Sequence, residues 1–110
     1  MKLPQRENAY IPPPKLLGYL LSETHSVGKA KAKFFRALGF NEMNSDVLEQ
    51  RLLAIAHEAN VVDVAPTPRG VKYVLDGDLE TISGETVQIR TIWIIEGGQT
   101  RPRFVTAYPA

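Results

Sequence analysis

Cysteine is absent from the 110 residues, which removes disulfide bracing and thiolate chemistry. No apolar run approaches the roughly 20 residues that a bilayer crossing needs. The opening Met-Lys-Leu-Pro-Gln-Arg-Glu-Asn turns polar too soon for a signal peptide. With neither device in the sequence, the expected compartment is the cytoplasm and no membrane contact is expected. Excess charge is lacking too: 13 basic against 12 acidic side chains leave a net +1, which by itself singles out no nucleic-acid partner. Histidine is scarce, with only His25 and His57, well separated. They make a poor metal set, so no metal or other cofactor is expected. A P-loop, a nucleophile elbow, a zincin helix and a Rossmann glycine pattern are all missing, and serine-nucleophile hydrolysis has nothing to stand on.

What remains is ordinary globular composition, 44% hydrophobic and 23% charged, at the size of one domain. Pro4 and Pro12-Pro13-Pro14 mark residues 1–13 as an extended N-terminal arm, ahead of a single domain over 14–110. Charge is unevenly placed along it. Lys29, Lys31, Lys33 and Arg36 fall in an acid-free stretch from Thr24 to Asn41, whereas Asp76 to Glu96 holds five acids against Arg90 alone. Such polarity steers an anion to one face, or simply marks two solvated surfaces.

The first half reads as helical. Leu16, Leu17, Tyr19, Leu20 and Leu21 suggest a short helix weakened by Gly18. A second helix is expected from an N-cap at Ser26 to Leu38, stopped by Gly39. In a third, Asp46 and Glu49 resemble a capping pair ahead of Leu48, Leu52, Ile55 and Ala59 at helical spacing. After Asn60 the period changes to two. Strands are expected over 61–65, around 71–75 before a turn at Asp76-Gly77-Asp78, over 86–95, and over 103–108. In the third of these, Val87, Ile89, Thr91, Trp93 and Ile95 share one face and Arg90, Ile92 and Ile94 the other, the mark of a central strand covered on both sides. The fold class is α+β: helices first, then an antiparallel sheet of about four strands.

Within this frame the second helix carries the most telling residue. At about 100° per residue, Val27, Phe34 and Leu38 cluster and set the expected buried direction, with Lys29, Lys33 and Arg36 opposite. Lys31 lands amid the apolar face, where a lysine either snorkels out or enters a pocket that uses its charge. Lys29, Lys33 and Arg36 suit loose phosphate contacts, or nothing specific. His25, just before the helix, fits a cap, a surface residue or an acid–base group; His57 points away from the core. On the strands, alternation puts Thr106 and Tyr108 beside Phe104, with Arg103 facing the other way alongside Val105 and Ala107. Guanidinium and hydroxyl groups on adjacent strands can grip a phosphate. Strand propensity alone explains the Thr-Tyr pair equally well.

His25-Ser26-Val27-Gly28-Lys29-Ala30-Lys31-Ala32 resembles a His-x-x-Gly-x-x-Lys-Ala motif of a bacterial family of small, mostly uncharacterised proteins. Its members stand alone or form C-terminal tips of polymorphic and contact-dependent toxins. The likeness continues in Phe35, Leu38-Gly39-Phe40, Arg90-Thr91-x-Trp93 and Arg103-Phe104-Val105-Thr106-Ala107-Tyr108-Pro109, and departs at Ser26, where proline is expected. In layout the family is similar to the barnase, EndoU, colicin and RelE group of metal-independent ribonucleases, a fold-level analogy. The resemblance implies RNA cleavage by attack of the 2′-hydroxyl on its own phosphate. His25 would act as general base or acid, and Lys31 with Arg90 or Arg103 would stabilise phosphoryl charge. Thr106 would hold a phosphate oxygen and Tyr108 would stack on a base. It also implies a cognate antitoxin or immunity-type protein. The rival expectation is a non-catalytic binding module of such a system.

Overall fold

A computed structural model describes residues 1–110. Two α-helices precede a meander of four antiparallel strands: α1 (Lys29–Ala37), α2 (Ser45–Glu58), β1 (Val61–Thr67), β2 (Gly70–Glu80), β3 (Thr86–Glu96) and β4 (Arg103–Pro109), in the spatial order β1-β2-β3-β4. The α+β arrangement expected from the sequence is the one observed.

The helical spacing in α2 does what it implies, burying Leu48, Leu52, Ile55 and Ala56. Burial of each leucine contributes about 1.5–3 kcal/mol. These side chains join Leu75, Leu79, Ile89, Trp93, Phe104 and Ala107 from the inner sheet face in one core. At its centre Trp93 meets Phe104 edge-on at 5.2 Å. The indole Nε1–H donates to Thr91 Oγ1 at 2.9 Å, and that hydroxyl donates to the Leu75 carbonyl at 3.2 Å, so the buried threonine both accepts and donates. No capping role falls to Asp46 or Glu49. Instead, Asn41 and Asn44 form a reciprocal capping box one turn upstream.

Three local expectations are corrected. The Asp76-Gly77-Asp78 segment is not a turn but the middle of an eleven-residue β2. Asp76 is held there by Arg90 across the ladder, through bonds of 2.8 and 2.9 Å. Gly77 stays because a Cβ would lie 2.9 Å from Ile55 Cγ2 of α2. In β4, a bulge at Val105 breaks the alternation: Phe104 pairs with Trp93, yet Thr106 pairs with Ile92 and Tyr108 with Arg90. One extra residue therefore turns Thr106 and Tyr108 to the outer face, alongside Arg103 and opposite Phe104 and Ala107. On β3 the outer face is only partly covered, since Ile94 is 2% exposed while Arg90 and Ile92 are half-buried.

The arm is strapped to the domain. Leu3 and Ile11 lie in the core, Val61 N–H donates to the Met1 carbonyl at 2.7 Å, and Tyr10 bridges to Arg103 at the start of β4. The run after the prolines forms a π-type turn over Leu16–Leu20 that buries Leu16 and Leu20 and leaves Tyr19 free to reach past the β4 edge.

Candidate functional site

The segment before α1 shows why its sequence is spaced as it is. His25 Nδ1 accepts N–H bonds from Val27 at 3.0 Å and Gly28 at 2.9 Å, doing the capping expected of Ser26. A backbone N–H can only donate, so Nδ1 is an acceptor and the neutral ring carries its proton on Nε2. His25 thus offers a hydrogen-bond donor at its outer nitrogen. The general-base role would need that nitrogen free of its proton. Three residues on, Gly28 is buried against Tyr19: a Cβ there would collide with the Tyr19 carbonyl oxygen and meet Tyr19 Cδ1 at 3.1 Å. Histidine and glycine together therefore lay the start of α1 against the Tyr19 turn.

Tyr19 is the hub. Its ring meets the His25 imidazole edge-on at 5.2 Å, and its hydroxyl bonds Thr106 Oγ1 at 2.9 Å across 87 residues of sequence. Lys31 Nζ lies 6.0 Å from the Tyr19 ring centre and 5.9 Å from that of Tyr108, and Lys15 Nζ lies 4.8 Å from Tyr19. Such distances suit an ammonium attracted to aromatic faces. The buried direction of α1 runs through Ala32 and Phe35 rather than Val27, which is 62% exposed. Lys31 consequently flanks the core, half-buried, and snorkels between the two tyrosines. Four of the candidate residues, His25, Lys31, Thr106 and Tyr108, thus gather around Tyr19 at the β4 edge.

The two arginines are placed differently. Arg90 neighbours Tyr108 on the outer face but is clamped by Asp76. That hydrogen-bonded pair, and then the carboxylate's charge, hold the guanidinium above its ordinary range against a smaller desolvation effect, with Tyr108 adding to the rise. Arg103 sits further along β4, bonded to Glu96 at 2.6 Å through Nη2. Lys29 and Lys33 are exposed on α1 outside this cluster of contacts. Arg36, grouped by the sequence with the loose phosphate candidates, is instead structural, bonding the Leu21 carbonyl at 2.6 Å and pairing with Glu23 and Glu42.

Sequence reasoning missed Tyr19 and Lys15. Tyr19 stands in a leucine-rich run with no polar periodicity to mark it. Its only trace is indirect, since a buried glycine at position 28 implies a close backbone neighbour without saying which. His57 is exposed, and no group of three histidine or carboxylate side chains gathers to hold a metal ion.

None of the curated proteins compared with the chain matches it. Among solved structures, the fold is similar to a chain from a contact-dependent growth inhibition toxin–immunity protein complex of Klebsiella pneumoniae 342. That match has a TM-score of 0.73 at 18% identity and covers 94% of this chain and 95% of that one. At such identity the likeness is one of fold. A family model described as a domain of unknown function, DUF6883, matches residues 2–110, and the chain belongs to that family.

Proposed function

We propose that the protein is a toxin-like endoribonuclease that cleaves RNA by 2′-hydroxyl attack and is restrained in the cytoplasm by a cognate antitoxin or immunity-type protein. One observation carries the reading: Lys31 lies between the Tyr19 and Tyr108 rings, with the Thr106 hydroxyl and His25 both held on Tyr19. A cation, hydroxyls and two aromatic faces form the set that grips a phosphate and stacks its bases. The likeness of fold to a chain from a toxin–immunity complex supports the choice of system.

In this reading a base stacks on Tyr108 and the scissile phosphate lies against Lys31. The 2′-oxygen attacks phosphorus, its proton passes to solvent, and the bond to the 5′-oxygen breaks as that oxygen takes a proton back. Lys31 meets the growing charge on the phosphoryl oxygens, the His25 Nε2–H gives a second hydrogen bond, and Thr106 holds a third position. The products are a 2′,3′-cyclic phosphate and a 5′-hydroxyl, and the scheme calls for no metal. Arg90 and Arg103 lend field rather than direct contact while Asp76 and Glu96 hold them.

That neutralisation favours the second reading, a non-catalytic binding module. Cleavage of mixed RNA in excess chelator separates the two, using wild type, Lys31→Met and His25→Asn; the asparagine can still accept the two amide bonds. Cyclic-phosphate ends from wild type alone support the ribonuclease. Equal cleavage by Lys31→Met rejects it, and inactivity of well-folded wild type moves the assignment to the binding module.

A further inference from the structure

Beyond the tyrosine cluster, the outer sheet face holds a groove of about 460 Å³ between the β1–β2 turn and β4, with Lys15, Arg69, Lys72 and Arg103 on its walls and Ile94 and Val105 in its lining. No carboxylate lines it. Of its four cations only Arg103 has an acidic partner, Glu96, so Lys15, Arg69 and Lys72 face it without a counter-charge. Unpaired cations held close together repel one another, and an anion relieves that repulsion.

Lys15 joins the groove to the cluster already described, because it lines the one and lies over the Tyr19 ring of the other. Ile94 and Arg103 also line a neighbouring hollow, in which Arg101 stacks 4.1 Å from the Tyr10 ring centre. A continuous surface therefore carries aromatic rings at one end, where Lys31 and Lys15 lie against Tyr108 and Tyr19, and cations at the other, where Lys15, Lys72 and Arg69 share the groove. Rings that stack bases beside cations that meet phosphates are the two elements with which a protein holds a single nucleic-acid strand.

We propose that the groove is a phosphate track holding about two or three backbone phosphates of single-stranded RNA beside the nucleotide at Tyr108. The inference rests on the reading of RNA as substrate and adds where the flanking strand runs. Arg69 and Lys72 are then binding residues for the strand and Lys15 couples the track to the site of cleavage.

The test is fluorescence anisotropy with 2′-O-methyl oligouridine, which lacks the attacking hydroxyl and so reports binding alone. Probes of about 4 and about 10 nucleotides span less and more than the cluster. The variants are Arg69→Gln/Lys72→Gln, which keep side-chain bulk, and Arg6→Ala as a charge control on a turn that packs against α2. Wild type should bind the longer probe about tenfold more tightly than the shorter. The double variant should lose that advantage and lower the salt slope by about 1.4, near 0.7 per single-strand phosphate contact. Arg6→Ala should change neither. An unchanged affinity and slope in a double variant that melts like wild type overturns the track, as does preference for poly-glutamate over RNA, which would mark the groove as a protein-docking surface. Length-dependent binding without cleavage of ordinary RNA would keep the track and reject the enzyme. Cleavage with no length dependence would do the reverse.

Discussion

Gly28→Ala opposes two effects of known sign. Gly28 has φ −78° and ψ −18°, right-handed helical values open to any residue. On backbone grounds alone alanine should stabilise the start of α1 by about 0.4–1 kcal/mol, because it restricts the unfolded chain. The new methyl, however, would fall on the Tyr19 carbonyl oxygen, with Tyr19 Cδ1 and the carbonyl carbon each at 3.1 Å. Backbone cannot swing aside like the end of a side chain, so α1 and the Tyr19 turn must separate. Overpacking of this kind costs about 1–3 kcal/mol. The clash wins, for a net loss of about 1–2 kcal/mol, or a midpoint lower by roughly 5–15 °C in a domain of this size. Thermal unfolding followed by circular dichroism measures it. The separation should also pull the Tyr19 hydroxyl from Thr106, so any RNA affinity should fall with stability. An alanine variant that melts at or above wild type would refute the close approach and with it the account of why glycine stands three residues after His25.

Other outcomes follow from single contacts. His25→Ala removes the acceptor for two amides and should cost about 0.5–2 kcal/mol in chemical denaturation, whereas His25→Asn should recover most of it. Thr91→Val leaves the Trp93 indole N–H buried without a partner and should cost about 1–3 kcal/mol, read from the same experiment. Asp76 is held below its ordinary carboxyl range, first by its hydrogen bonds to Arg90 and also by that charge. A depressed folded value means the stabilisation is present above the unfolded carboxyl value and lost as pH falls through the folded one. Asp76→Asn should therefore be less stable than wild type at pH 7, and the gap should close as pH drops below about 4.

Much of the frame was legible because it rests on local periodicity. The spacing of Leu48, Leu52 and Ile55 marks α2, and the two faces of 86–95 mark the central strand, since each repeats within one element. The failures came where a distant contact outweighed a local preference. Asp76-Gly77-Asp78 has turn chemistry, yet Arg90 and Ile55, both remote in sequence, make it strand. The faces of Thr106 and Tyr108 depended on one bulged residue, Val105, which alternation has no means to show. His25 and Lys31 stood out by motif and wheel position, but their neighbour Tyr19 did not, because what marks it is a hydroxyl bonded 87 residues away.

The strapped arm has a consequence for the order of synthesis. Residues 1–11 are made before the rest of the domain, but Tyr10 completes its hydrogen bonds only with Pro102 and Phe104. Tyr19 likewise waits for Thr106, and Lys31 for Tyr108. These are contacts of long sequence separation, which form late because the intervening loop must first be closed. A nascent chain that has made both helices and three strands still has no assembled cluster at the β4 edge. Whatever chemistry the cluster performs is switched on by β4, so a truncated product carries none of it.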